Sequence, residues 1–411
     1  MANRQVTQDV SDNIIAAAVM AQNFWSIKNL RLLEPHPTDH KKVVFNLGAN
    51  YIPGDIGGHW FLADTAVEID AVGDLDTGAL AAGTDYYTYE CTDGTSLFFT
   101  VSANATVPTG FDADHSRKIG GFHTLCAAVA HNTALTAWAA DTVMAVGTTR
   151  RKVAADGYMY RVTAIAGDFK THAATEPDWA SISVGQTIVD DQVTWIKEQH
   201  ALEGYAAKDI LPASVWCLKH RAKSLVNVGL VYSNGIQKWV DIYLQSGTGI
   251  ATTSVNGGTI TDTRTWMDHV DDGNAVGKRL PRDGEFQSIA AGSNEETNIF
   301  GSGDPVTTGG HSDTAGRRMI SNLGAEDCCG ALWQWLQDQS AKYDAAIVAD
   351  YVDLPGSKGS LYLPVNTNDI KLLAGASWIN ATASGSRARH TAGDRVYAGS
   401  DISARFVSEP L

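Results

Sequence analysis

The chain has 411 residues, 39 of them glycine, 11 tryptophan and five cysteine, and a formal net charge of −15. That length gives room for two or three domains with real cores. The acidic balance suits neither nucleic acid nor an anionic membrane surface, and no apolar run nears the ~20 residues of a membrane-crossing helix. No nucleic-acid partner and no membrane insertion are therefore expected.

The N-terminus lacks the basic-then-apolar pattern of a secretory signal. An odd number of cysteines, two of them adjacent (Cys328 and Cys329), does not make a disulfide framework. Buried thiols packing as small hydrophobes are expected instead. Short Val, Thr and Tyr runs broken by Gly, Asp and Asn point to a β-rich, loop-rich protein. Without a secretory signal, synthesis in the cytoplasm is expected.

In chain order, 1–33 predicts a helix. Asp9, Ser11 and Asp12 supply caps, and Ile14, Ile15, Ala18, Val19, Ala21 and Gln22 fall at helical spacing. Its apolar face either packs on its own chain or serves as an oligomerisation and attachment arm. Strands follow at 42–47, 86–91 and 96–101, the last two joined as a hairpin through 92–95. Within 116–123, Gly120 and Gly121 permit positive φ or a close backbone approach.

At 137–196 the composition changes. Trp138, Tyr158, Tyr160, Trp179 and Trp195 are spread among short strands and Gly/Asp turns. The Gly-Tyr-x-Tyr, Glu-Pro-x-Trp and Asp-x-Val-Thr-Trp stretches resemble a small β-module that recurs in phage tail and adhesion proteins. Roughly 60 residues hold one small core. The flanking Gly121-Phe122-His123 and Ile210-Leu211-Pro212 resemble segments that lie closer together in phage proteins of this kind, and that resemblance implies an insertion with near-adjacent ends. Its aromatics form either that core or a sugar-stacking platform.

Further on, 213–218 and 239–244 read as strands, and 265–270 and 283–291 as short helices. Asp283 caps the second helix, whose Phe286, Ile289 and Ala290 share a face. A long polar loop spans 293–314, which is uncommon unless packed or functional. The 331–339 segment reads as a helix. After a short buried strand at 370–373 the apolar content collapses into Gly, Ala, Ser, Asn, Thr and Arg. This predicts an irregular loop system displayed on a scaffold and ending in a strand at 402–407.

No nucleophile elbow, P-loop or dinucleotide fingerprint occurs. Asp268, Asp271 and Asp272, with His269 among them, and Glu295, Glu296, Asn298 and Asp304 offer the oxygens calcium takes. They lack a full loop signature, so solvated faces are expected, with no metal and no cofactor. Cys328 and Cys329, ahead of the expected helix, are candidate activated thiols. The neighbouring Trp333 and Trp335 point to a core instead.

Gly375-Ala376-Ser377-Trp378, then Ser384-Gly385-Ser386-Arg387-Ala388 and Ser403-Ala404-Arg405, resemble the C-terminal variable region of phage major tropism determinants. Asp313-Thr314-Ala315-Gly316-Arg317-Arg318 and Gly330-Ala331-Leu332-Trp333-Gln334-Trp335 resemble the scaffold of such domains, and the resemblance covers about 205–411. It implies a C-type lectin fold of the formylglycine-generating-enzyme type. The founding activity of that fold depends on a reactive cysteine pair near the C-terminus, which has no counterpart after Cys329, so enzyme activity is not expected.

The architecture implied is β-rich α+β. It comprises an N-terminal β domain with its helical arm (1–135), a small inserted all-β module (136–200) and a C-type-lectin-like domain (201–411). The family's variable positions fall on Ser377, Ile379, Ala381, Ala383, His390, Ala392, Gly393, Tyr397, Gly399, Asp401 and Ile402. Trp378, Asn380, Arg389 and Arg395 join them as candidate receptor contacts, because aromatic and arginine anchors among small neighbours suit a binding face. Arg387 and Arg405 are assigned to the scaffold, where a guanidinium fork clamps carbonyls or a buried carboxylate. The expected role is a virion tail-fibre or tropism protein that recognises a host surface protein or glycan. It would be trimeric and docked on other virion proteins through its N-terminal part. The alternative is a capsid head-fibre or decoration protein using the same fold for packing.

Overall fold

The computed structural model describes residues 4–5, 32–46, 61–62, 66–93, 96–339, 351–362 and 370–411. The helix expected over 1–33 and the hairpin turn at 94–95 lie almost entirely outside them. The chain is mostly β.

Period-two patterning builds the first sheet. In Lys42–Phe45, Val43 and Phe45 point inward while their neighbours stay half-buried. This strand pairs antiparallel with Leu33–Pro35 and Val67–Asp70. A four-stranded sheet packs beside it, in the order Trp216–Cys217, Ser116–His123, Asp85–Thr92, Leu97–Ser102. The expected hairpin is realised, with partners running from Tyr87↔Ser102 to Thr92↔Leu97. Gly120 and Gly121 serve close approach: a Cβ there would lie 2.3 Å from Trp216 O and 2.4 Å from Tyr86 O, respectively. Phe45, Ile69, Tyr86, Phe122 and Val215 share one core. The Trp216–Cys217 strand therefore completes a sheet begun more than a hundred residues earlier.

Between them, Thr149–Arg150, Met159–Ile165, Thr187–Asp190 and Val193–Glu198 form a separate four-stranded sheet. Trp138, Tyr160, Trp179 and Trp195 are its core. Asp190 Oδ2 accepts the indole N–H of both Trp138 (2.7 Å) and Trp195 (3.1 Å), as buried tryptophan requires. These four aromatics are thus spent on packing. His131 and His200, at the two stems, stack 4.7 Å apart, so the ends are adjacent.

Among the described residues, the remaining chain carries two sheets and two α-helices, Trp266–Ala275 and Asp283–Ile289. Thr265 caps the first in a reciprocal capping box with Asp268. Leu230–Ser233, Lys238–Asp241 and Val407–Ser408 make a three-stranded sheet. The other sheet has six strands, in the order Tyr351–Asp353, Ser360–Tyr362, Gly385–Asp394, Ile370–Gly375, Trp333–Gln339, Ile402–Ser403.

Three expectations are corrected here. The helix expected at 331–339 is the strand Trp333–Gln339, hydrogen-bonded on both edges and therefore buried on both faces at its start. The strand expected at 402–407 is two short strands, Ile402–Ser403 and Val407–Ser408. The expected irregular region contains the ten-residue strand Gly385–Asp394, whose small residues let it sit deep in the sheet without an apolar run.

Candidate functional site

The C-terminal face is built from the scaffold outward. Glu295, from the long polar loop, accepts hydrogen bonds from the Ser386 N–H at 3.0 Å and hydroxyl at 2.7 Å. A Cβ on Gly385 would stand 2.3 Å from Glu295 Oε2, which explains the Ser-Gly-Ser spacing. Burial pushes the Glu295 carboxyl up, opposed by Lys358 at 3.3 Å. The loop itself is packed. Asp313 accepts from Thr297 Oγ1 (2.7 Å), Arg317 Nε (2.8 Å) and the Ala315 and Arg317 backbone N–H groups. Arg405, fully buried, donates to the carbonyls of Asp241, Ile242 and Glu326 and to Gln334 Oε1. That is the carbonyl clamp expected of it. Arg387, also assigned to the scaffold, is instead exposed.

On this base the 377–383 turn folds over itself. Asn380 Oδ1 accepts from Ser377 N (2.9 Å) and Oγ (2.7 Å). Ala376 and Ala381 take positive φ, 74° and 44°. Such values are strained for a residue with a Cβ and concentrate at functional turns. Asn298 Nδ2 donates to Trp378 O, and Asn380 Nδ2 donates to Tyr351 Oη at 3.0 Å.

The expected contact residues divide by burial. Ile379 (66% exposed), Tyr397 (50% exposed), Ala381 and Arg395 face solvent. Trp378, Asn380, Ala383, His390, Ala392, Gly399 and Asp401 are half-buried. Ser377, Arg389 and Ile402 are buried and reach no solvent partner. Arg389 ion-pairs with Asp283 at the start of the second helix and lies over the Phe286 ring, so it belongs to the scaffold. Tyr397 and Asp401 close around Gly399, where a Cβ would meet Asp401 Oδ1 at 2.4 Å. The neighbouring Asp401 charge raises the Tyr397 phenol pKa.

Sequence reasoning missed a row of rings leading to this face. Tyr351 pairs with Tyr362 at 4.8 Å, Tyr362 stacks on His390 at 4.8 Å, and Trp333 meets His390 edge-on at 5.6 Å. Burial among these rings holds His390 neutral, its pKa lowered to about 4. The signal was present as one tyrosine at the end of each of two short strands, too short to stand out alone.

The other candidates resolve into structure. Burial raises the Cys328 thiol to about 11 and Cys329 further, the opposite of activation. Asp268 is spent in the helix cap. Asp272 accepts from Gln245 Nε2 (2.7 Å) and the Gly249 N–H (2.8 Å) and pairs with Arg264. His269 is buried against Gln245 Oε1 at 2.5 Å. Among the described residues no cluster of three or more His, Cys, Asp or Glu is disposed to hold a metal ion.

Comparison with known proteins agrees with this geometry. Residues 40–149 match the family model described as the Mtd second domain. A tail fiber receptor-binding protein of Bordetella phage BPP-1 is 26% identical over 332 residues, spanning 80% of this chain and 69% of that protein. The I1 and P3c variants of the major tropism determinant each align with TM-score 0.61 at 22% identity, covering 93% of this chain and 84% of theirs. The M1 variant aligns over all of this chain and 86% of its own, with TM-score 0.60 and 22% identity. The similarity thus reaches well upstream of 205–411, where the motifs lie. In fold the chain is similar to the major tropism determinants, and in sequence it is similar to a phage tail fibre receptor-binding protein.

Proposed function

We propose that the protein is a virion receptor-binding component of a phage, of the tail-fibre or tropism-determinant kind, that recognises the host cell surface through its C-terminal face. The observation that carries this reading is the exposed set Ile379, Ala381, Arg395 and Tyr397 on a buried, hydrogen-bonded scaffold. Aromatic, aliphatic and arginine side chains on a preorganised support suit recognition by shape and hydrogen bonding. The half-buried Trp378, Asn380, Ala383, His390, Ala392, Gly399 and Asp401 form the floor of this face.

The 201–411 region acts as a C-type-lectin-like display domain. The 136–200 module is an insertion, and the 1–135 region assembles the oligomer and docks it on the virion. A homotrimer fits this role, because weak contacts gain strongly from multivalency. The receptor is a surface protein or a glycan. No reaction and no cofactor is part of the reading.

Competition tests it. Purified protein added to host cells before the parent phage should block adsorption in a dose-dependent manner. A correctly folded protein that leaves adsorption unchanged at saturating dose would instead favour a structural, capsid-decorating role.

A further inference from the structure

A cavity lies apart from the C-terminal face, sharing no lining residue with it. It sits between the Asp85–Thr92 and Ser116–His123 strands and the 216–228 segment, and its volume is about 380 Å³. Its charged lining consists of Lys118 and Arg221, and no carboxylate lines it. In a chain of net charge −15 this local reversal is unusual. Among the described residues neither cation has an ion-pair partner. Lys118 Nζ donates to Ala105 O and lies 4.7 Å above the Tyr87 ring. Arg221 Nε is buried without a hydrogen-bond acceptor, which is costly unless a ligand supplies one. Burial and the nearby Arg221 charge together lower the Lys118 pKa.

The rest of the lining suits a small ring. Trp216 meets Tyr87 edge-on at 6.3 Å, presenting aromatic surface beside Leu218 and Val226. Asn227 Oδ1 is occupied by Ser224 Oγ at 2.9 Å, leaving the amide NH₂ as a further donor. The volume falls in the range of about 300–1,000 Å³ usual for small-ligand sites.

We propose that this cavity binds an anionic sugar, a pyranose-sized ring carrying a phosphate or a carboxylate. The two cations and Asn227 take the charged group, and Trp216 takes the apolar ring face. The site is separate from the C-terminal face and does not depend on that face binding a receptor.

Isothermal titration of the full-length protein at low ionic strength tests this, with glucose 6-phosphate, glucuronate, glucose and inorganic phosphate as probes. At least one acidic sugar should bind once per chain, and which one binds separates a phosphosugar from a uronic acid. Glucose should give no binding, and added salt should weaken the complex. Lys118→Gln and Arg221→Gln should each lower affinity by about tenfold, the loss of one charge-assisted contact. Trp216→Leu should weaken it without changing its salt dependence. Thermal melts of all variants verify folding, and the two charge variants lie on different elements, so misfolding of one leaves the other informative. Three results would overturn the proposal: neither acidic sugar binding the folded wild type, unchanged affinity in the Lys118→Gln/Arg221→Gln double variant, or inorganic phosphate binding as tightly as the acidic sugar that binds best.

Discussion

Glu295 grips Ser386 through both carboxylate oxygens, one taking its backbone N–H and the other its hydroxyl. Ninety-one residues separate the two in sequence. This contact fastens the long polar loop to the start of the Gly385–Asp394 strand and so fixes the base of the display face. Glu295→Ala would strand those two donors and the Lys358 ammonium, at a cost of about 1–3 kcal/mol. Urea denaturation should show the midpoint fall with the slope unchanged. Gly385→Ala should act in the same direction, because its new Cβ meets Glu295 Oε2 and the Lys358 carbonyl.

Lys278 and Asp241 form an ion pair at 2.6 Å with both side chains 1% exposed. Burial raises the Asp241 pKa, and Lys278 and Arg405 oppose that rise. Lys278→Met alone leaves a buried carboxylate unpaired and should destabilise by about 3–5 kcal/mol. Adding Asp241→Leu should recover most of the loss. A double-mutant cycle by chemical denaturation measures the coupling.

Acid should destabilise the fold through its buried histidines. Burial lowers His200 and His269 to about 4 from an ordinary 6.5, and His131 is lowered as well. The folded state keeps these rings neutral while the unfolded chain protonates them near 6.5. The contribution of His200 and His269 is whole above pH 6.5 and is lost as pH falls towards 4, by up to roughly 3 kcal/mol for each of these two rings at 1.36 kcal/mol per pH unit; His131 acts in the same direction. Melting temperature should drop over that window. His269→Gln should reduce the slope while keeping a polar group beside Gln245.

Glu90 works in the opposite sense. Burial raises its carboxyl to about 7 from 4.5, with Arg117 opposing. A raised acid favours folding while protonated, so its contribution is full below pH 4.5 and is lost as pH rises through 7. Glu90→Gln should therefore raise stability at pH 8 by up to roughly 3 kcal/mol and leave it nearly unchanged at pH 4. Thermal melts at the two pH values check this.

The β-rich character, the Tyr/Phe hairpin, the close-approach glycines and the aromatic core of the inserted sheet were legible in sequence. Each is a local pattern that the local environment enforces. The Gly385–Asp394 strand was not, because a central strand of small residues gains its burial from neighbours on both sides rather than from its own hydrophobicity. The Trp333–Gln339 strand read as a helix for a related reason: buried on both faces at its start, it lacks alternation. Arg389, expected at the surface, is buried, and Arg387, expected in the scaffold, is exposed. Pairing irregularities in the Gly385–Asp394 strand break the alternation of its two faces, and which arginine turns inward depends on Asp283, distant in sequence.

The central claim is that the exposed C-terminal face binds the host. The most direct measurement is saturable binding of fluorescently labelled full-length protein to host cells. Wild type is compared with Arg395→Ala/Tyr397→Ala, after both are verified for equal oligomer size and melting temperature. The account predicts saturable binding by wild type, reduced at least tenfold in the double variant, the loss of two anchor contacts. Equal binding by both proteins would contradict it and move the receptor contact to another surface.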